Sequence, residues 1–265
     1  MIFETHAHYD DERFAEDRER LIPSLFAGNI GYIINVGASI ATTKSTLKLA
    51  EQYGQLYAAV GVHPSDIADL NEETYAWLRE QTRHPKTVAV GEIGLDYYWD
   101  KEAEVQERQR LWFRRQLELA AERKLPVIIH SRDAAEDTLA IMREAAVQGI
   151  PGVIHCYSYS PELAKEFVKL GYYIGVGGVV TFKNAKKLKD TVRQIPLERL
   201  LLETDCPYMA PEPHRGERNQ SAYLSHVAEK IAELRGISAR EVEDVTCRNA
   251  RELFMPGGAE HMQTC

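Results

Sequence analysis

Eight short β-rich runs, each followed by a longer amphipathic stretch, limit what this chain can fold into more than any other feature. They fall at residues 2–5, 32–36, 56–60, 87–90, 126–129, 152–154, 172–176 and 200–203. Strand and helix in regular alternation imply a parallel sheet, because each strand must be reached by a crossover. Eight such units are what a closed (β/α) barrel requires. The intervening stretches suit an outer ring of helices. Residues 105–124, for example, set Leu111, Phe113, Leu117 and Leu119 among many charges. An open doubly wound sheet would alternate in the same way, but the GxGxxG turn of its nucleotide-binding version is missing after the first run. The expected fold is therefore α/β, a single TIM (β/α)8-type barrel over residues 1–255, with residues 256–265 as a flexible tail. A length of 265 residues fits one such unit.

Composition narrows the function classes. Hydrophobic residues at 44% and charged residues at 27% allow a sizeable core and exclude a disordered chain. The N-terminus lacks the basic start of a secretion signal, and no apolar run approaches the ~18 residues that span a bilayer. Cys156, Cys206, Cys247 and Cys265 show neither CxxC spacing nor the density of a disulfide scaffold, so reduced thiols and a cytoplasmic location are expected. A net charge of −8 argues against a protein that coats nucleic acid through a broad basic face. A polyanionic substrate would have to be attracted locally, and bound cations can do this.

Residues able to bind such cations lie at the C-terminal ends of the runs. His6 and His8 end the first, His63 follows the third, Glu92 the fourth, His130 the fifth, His155 the sixth and Asp205 the eighth. Groups scattered over two hundred residues thus converge on one rim, the active face of barrels. The i, i+2 spacing of His6 and His8 puts both rings on one face of an extended strand. Glu92 ends an apolar strand, where a carboxylate needs a cation or hydrogen bonds. Asp205 can bind metal and orient or deprotonate a water. Glu203 shares its parity, which suggests either a second acid in the barrel mouth, an outer partner, or a group neutralising an arginine. With no cysteine in the set, Mg²⁺, Mn²⁺ or Zn²⁺ suit it better than thiophilic ions. Cys156 and Cys206 are expected to alternate away from the rim as small buried fillers.

Around the rim, His63, Arg132 and the loop bearing Arg215 are candidate substrate groups, since arginine forks suit phosphate oxygens. Arg132 has a bland alternative in an ion pair with Asp133 or Glu136. Tyr97, Tyr98 and Trp99 either stack on splayed bases or pack their loop onto the barrel.

Taken together, Thr5-His6-Ala7-His8, Gly61-Val62-His63-Pro64, Gly91-Glu92-Ile93-Gly94-Leu95-Asp96, His130-Ser131-Arg132, His155-Cys156 and Glu203-Thr204-Asp205-Cys206-Pro207 resemble, in order and spacing, the TatD family of metal-dependent deoxyribonucleases. The resemblance runs almost end to end. It implies one metal held by His6, His8, Glu92 and Asp205 and a second held by Glu92, His130 and His155. It also implies hydrolysis of DNA, typically exonucleolytic from the 3′ end, with single strands or 3′ ends as substrate. The loop after the eighth run departs from the family pattern, with His214 before Arg215 and Gln220-Ser221 in place of Glu-Pro.

The expected chemistry is in-line attack on a phosphodiester by a water that one cation acidifies, with the pair of cations about 3.5–4 Å apart. Asp205, Glu92 and Glu203 are the expected catalytic carboxylates. Two other readings fit the same residues: a metal-dependent amide or ester hydrolase such as an aminoacyl-tRNA deacylase, and a non-catalytic metal-binding module.

Overall fold

The structure, a computed structural model, describes residues 1–255. The expected tail at 256–265 and Cys265 lie outside them. The eight strands are β1 (Ile2–Ala7), β2 (Ile30–Val36), β3 (Leu56–Val60), β4 (Thr87–Asp96), β5 (Val127–Arg132), β6 (Gly152–Ile154), β7 (Tyr173–Val176) and β8 (Leu200–Leu202). Each pairs with the next in parallel, in sequence order. Helices α1 (Arg18–Ala27), α2 (Ile40–Ala50), α3 (Glu72–Gln81), α4 (Ala103–Arg123), α5 (Ala135–Val147), α6 (Pro161–Lys169), α7 (Lys186–Gln194) and α8 (Leu224–Arg235) follow the strands in turn, and α9 (Ala239–Phe254) ends the described chain. No helix among the described residues is long and apolar enough to cross a membrane.

Two apolar layers hold this arrangement. The larger lies between strands and helices and takes in Ile33, Leu56, Ile129, Phe113, Phe167 and Ile231. The smaller gathers Phe3, Ile34, Ala59, Ile128, Val153, Tyr173 and Leu201 from successive strands and joins them to Leu253 and Phe254 of α9. Strands buried on both faces explain the nearly continuous apolar runs, as in all-parallel sheets. Local signals start several helices: Ser39 and Asn71 close capping boxes on α2 and α3.

The ring closes between β8 and β1 through a short seam. Ala7 and Cys206 form one parallel bridge. The Asp205 amide donates to the His6 carbonyl at 2.9 Å, and the His8 amide to the Cys206 carbonyl at 2.9 Å. Buried Glu4 reinforces it, its Oε1 accepting from the amides of His6 (3.1 Å) and Thr204 (2.9 Å). The seam thus lies where three of the candidate ligands meet.

Strand ends differ in detail from those expected. β4 and β5 run further, to Asp96 and Arg132, because Ile93 to Asp96 pair with Ile129 to Arg132 beyond an irregularity after Val90. The glycines there look like a strand end in sequence but serve close approach. A Cβ on Gly94, whose φ is +145°, would lie 1.9 Å from the His130 carbonyl oxygen. β8 stops at Leu202, so residues 203–205 are not strand.

Candidate metal centre

Every predicted rim histidine reaches one centre. His6 Nε2 lies 3.1 Å from His8 Nε2, 3.4 Å from Glu92 Oε2 and 3.7 Å from Asp205 Oδ1, and His8 Nε2 is 3.3 Å from the same Asp205 oxygen. On the other side, Glu92 Oε1 is surrounded by His130 Nδ1 at 2.9 Å, His155 Nε2 at 3.7 Å and His63 Nε2 at 3.8 Å. The rings of His6 and His155 stack at 3.5 Å between the two groups. These groups open into a cavity of about 680 Å³.

The donor set fits divalent cations. Bare imidazole nitrogens and carboxylate oxygens held 3.1–3.7 Å apart match the edges of a polyhedron with metal bonds of about 2.0–2.2 Å. The far nitrogens of several rings are fixed, as ligand histidines require. His8 Nδ1 faces the Val36 carbonyl at 2.9 Å, so in the neutral ring the proton sits on Nδ1 and Nε2 is the ligand nitrogen. His130 Nε2 faces Asp96 Oδ2 at 3.1 Å, and His155 Nδ1 faces Glu203 Oε2 at 3.2 Å, a contact not aligned as a hydrogen bond. His6 Nδ1 is buried without a partner.

His63 is arranged the opposite way. Its Nδ1 accepts from the Ser65 amide at 3.1 Å, so the proton sits on Nε2, the nitrogen that faces the centre. Burial holds this ring down to about 4, which keeps it neutral at pH 7. His63 therefore offers the centre a donor rather than a lone pair.

In the metal-free protein these groups shift one another strongly. For Glu92, burial works to raise the carboxyl, but His155, His63, His130 and His6 outweigh it and hold it well below the usual range. Burial likewise opposes charge on His8 and His155, yet Asp205 and Glu92 bring His8 to about 9, while Glu203 and Glu92 bring His155 to about 10. Asp205 is lowered despite burial, chiefly by the hydrogen bond from His8.

Several placements differ from expectation. Glu203 is buried in the barrel beside Gly175, with Oε1 accepting from the Cys156 amide at 2.5 Å, so it backs His155 instead of neutralising an arginine. A Cβ at Gly175 would lie 2.5 Å from Glu203 Oε2; that glycine makes the room. Parity failed to separate the two acids because Asp205 turns left-handed, with φ 58°. Short polar aspartate tolerates that conformation better than most residues.

Cys156 also departs from its expected direction. With φ 45° it turns toward the cavity wall, within 4.8 Å of ligand atoms on His155 and Asp205, instead of alternating away. Burial pushes its thiol well up, which keeps it protonated and a poor ligand. Cys206 is the buried filler expected. Cys156 and Cys206 are free, whereas Cys247 is not, against the expectation that it is a reduced thiol.

Of the substrate candidates, Arg132 lies at the cavity mouth with its guanidinium 3.9 Å over the Tyr98 ring, and no ion pair with Asp133 or Glu136 is found among the described residues. Arg215 is exposed over Phe182 at 4.4 Å and is not part of the cavity wall. Tyr97 packs: its hydroxyl donates to Asp137 at 2.6 Å. Asp96, whose even spacing from Glu92 is the signal the sequence offers for it, joins the site behind His130.

A family model described as TatD related DNase matches residues 3–255. The chain belongs to this family. It is 44% identical to an uncharacterized metal-dependent hydrolase, YabD, of Bacillus subtilis, over 96% of this chain and 99% of that one. A 3′-5′ ssDNA/RNA exonuclease, TatD, of Escherichia fergusonii is 32% identical, over 96% and 98%. Among solved structures, the TatD homologue YjjV of Escherichia coli superposes with a TM-score of 0.88 at 34% identity, covering 96% and 97%. As a TatD-family member the protein is a metal-dependent hydrolase acting on ester bonds.

Proposed function

We propose that this TatD-family protein hydrolyses phosphodiester bonds at the 3′ ends of single-stranded DNA, with two divalent cations bound at the barrel rim. The observation that carries this reading is Glu92. Its two oxygens are divided, Oε2 toward His6 and Oε1 toward His130, His155 and His63. A carboxylate so placed suits a bridge between two cations. His6, His8 and Asp205 complete one ligand set, and His130 and His155 the other. The relative named as a 3′-5′ ssDNA/RNA exonuclease supports the substrate class.

Divalent cations held by these residues, whether Mg²⁺, Mn²⁺ or Zn²⁺, would supply Lewis acidity toward water and charge compensation toward the phosphodiester. The chain's own groups do the rest. Asp205 Oδ1 borders the first ligand set, where it can take a proton from an attacking water. The Nε2–H of neutral His63 donates to a non-bridging phosphate oxygen, and the guanidinium of Arg132 grips another. Asp96 holds His130 in the ligand tautomer, and the Glu203 carboxylate stands behind His155 at 3.2 Å. Arg215 lies outside the cavity wall, exposed over Phe182.

A reconstitution screen tests the reading. The metal-free protein is loaded with Mg²⁺, Mn²⁺ or Zn²⁺ and offered 5′- and 3′-labelled oligonucleotides beside an acyl ester and an aminoacyl-tRNA. Shortening from the 3′ end is expected. Cleavage confined to the acyl substrates would replace the nuclease by a deacylase, and binding with no turnover of any substrate would leave a metal-binding module.

A further inference from the structure

Tyr98, Trp99 and Tyr208 are three of the five large hydrophobic side chains exposed among the described residues, and they come from the two loops that follow β4 and β8. Trp99, 66% exposed, and Tyr208, 49% exposed, both border the mouth of the metal cavity. Leaving such rings in water forgoes a large burial gain, and an exposed apolar cluster beside a reactive centre marks a contact surface.

Both loops are fastened to the centre itself. Asp96 Oδ1 accepts from the amides of Tyr98 at 3.0 Å and Trp99 at 3.1 Å, while its Oδ2 faces His130 Nε2 at 3.1 Å. The Tyr208 amide donates to the Asp205 carbonyl at 3.0 Å. The backbone that bears the rings is therefore fixed relative to the centre. A guanidinium from a neighbouring segment lies over one ring of each loop: Arg132, at the end of β5, is 3.9 Å over Tyr98, and Arg13, after β1 and paired with Asp11 at 2.9 Å, is 4.1 Å over Tyr208. An aromatic face for a base next to a cation for its phosphate is the chemistry of single-strand binding, and a duplex keeps its base faces stacked away from such a surface.

The geometry points to Trp99 and Tyr208 as base-stacking platforms that select strands with unpaired bases beside the scissile phosphate. This inference rests on the phosphodiesterase reading above. It predicts an effect that depends on the base, not on the sugar-phosphate chain.

The experiment compares a base-bearing oligonucleotide with an abasic strand of equal length, using the metal-loaded wild type, Trp99→Leu, Trp99→Phe and Tyr208→Leu. Each leucine variant should raise KM for the base-bearing strand about fivefold or more while kcat changes less than about twofold, and Trp99→Phe should recover most of the loss. On the abasic strand the variants should match the wild type. In parallel, tryptophan fluorescence is titrated with uncleavable phosphorothioate versions of both strands, Trp99→Phe supplying the background. Quenching of the Trp99 signal by the base-bearing strand alone is expected. Equal losses on both strands, or none on either, would overturn the platforms. If no strand is cleaved with any cation, the phosphodiesterase reading falls separately. The fluorescence titration then decides on its own, and equal quenching by both strands, or none, sinks the inference.

Discussion

At the scale of single residues, the ring nitrogen that each histidine presents decides what the centre can hold. His130 and His155 show the centre one nitrogen because Asp96 and Glu203 stand behind the other. Asp96→Asn keeps the shape but removes the charge that fixes His130. Metal affinity should fall about 10- to 100-fold, read by competition with a chelator, with far-UV circular dichroism unchanged. Undiminished affinity would reduce Asp96 to an anchor for the Tyr98-Trp99 loop.

A second residue-scale prediction concerns protons. His8 and His155 sit at about 9 and about 10 in the metal-free protein, above the ordinary 6.5. A histidine held protonated by the fold stabilises it fully below pH 6.5, and that contribution fades as pH rises through the folded value. Stability of the metal-free protein should therefore fall between pH 6.5 and about 10. Metal binding must displace those protons, so affinity should climb over the same window, with release of on the order of two protons per protein at pH 7. Calorimetry in two buffers of different ionisation enthalpy measures the release, and buffer-independent heats would contradict it.

The residues that end apolar runs were legible in the sequence, because a polar group in that position must be satisfied by something. Asp96, Glu203 and Cys156 were less legible. Their directions depend on how β4 continues past Gly94 and on left-handed turns at Cys156 and Asp205, which alternation does not foresee.

At the scale of elements, β4 and β5 do the most to place the site, since their pairing carries Glu92, Asp96 and His130 together. Gly94 permits it. In Gly94→Ala the new methyl would collide with the His130 carbonyl, from an unfavourable φ of +145°. The expected cost is about 2–4 kcal/mol of stability, together with weakened metal binding. Thermal melting and chelator competition check both, and a variant with wild-type melting and affinity would show that the strands part without harm. Eight strands and their order could be read from periodicity because parallel strands buried on both faces are continuously apolar. The seam between β8 and β1 could not. It depends on one backbone bridge and the buried Glu4 carboxylate.

At the scale of the whole molecule, the two apolar layers are formed without help from the centre, so the barrel should stand when the metal is removed. Chelation should abolish hydrolysis while leaving the far-UV spectrum and most of the thermal transition. Loss of the folded signal would make the metals structural. The chain's charge of −8 also implies that attraction for a polyanion is concentrated at the rim, where Arg132 lies and cations would bind.

The central claim is that Asp205 serves both as ligand and as proton acceptor for an attacking water, and single-turnover cleavage by Asp205→Asn tests it most directly. The asparagine keeps an oxygen near His8 but loses the charge and the basicity, and general-base help is worth about 10²–10⁴ in rate. With metal content of the same sample fixed by elemental analysis, the account predicts a folded variant that retains at least one cation and cleaves a 3′-labelled strand about a hundredfold or more slowly. Near wild-type cleavage in a nuclease-free preparation would contradict it.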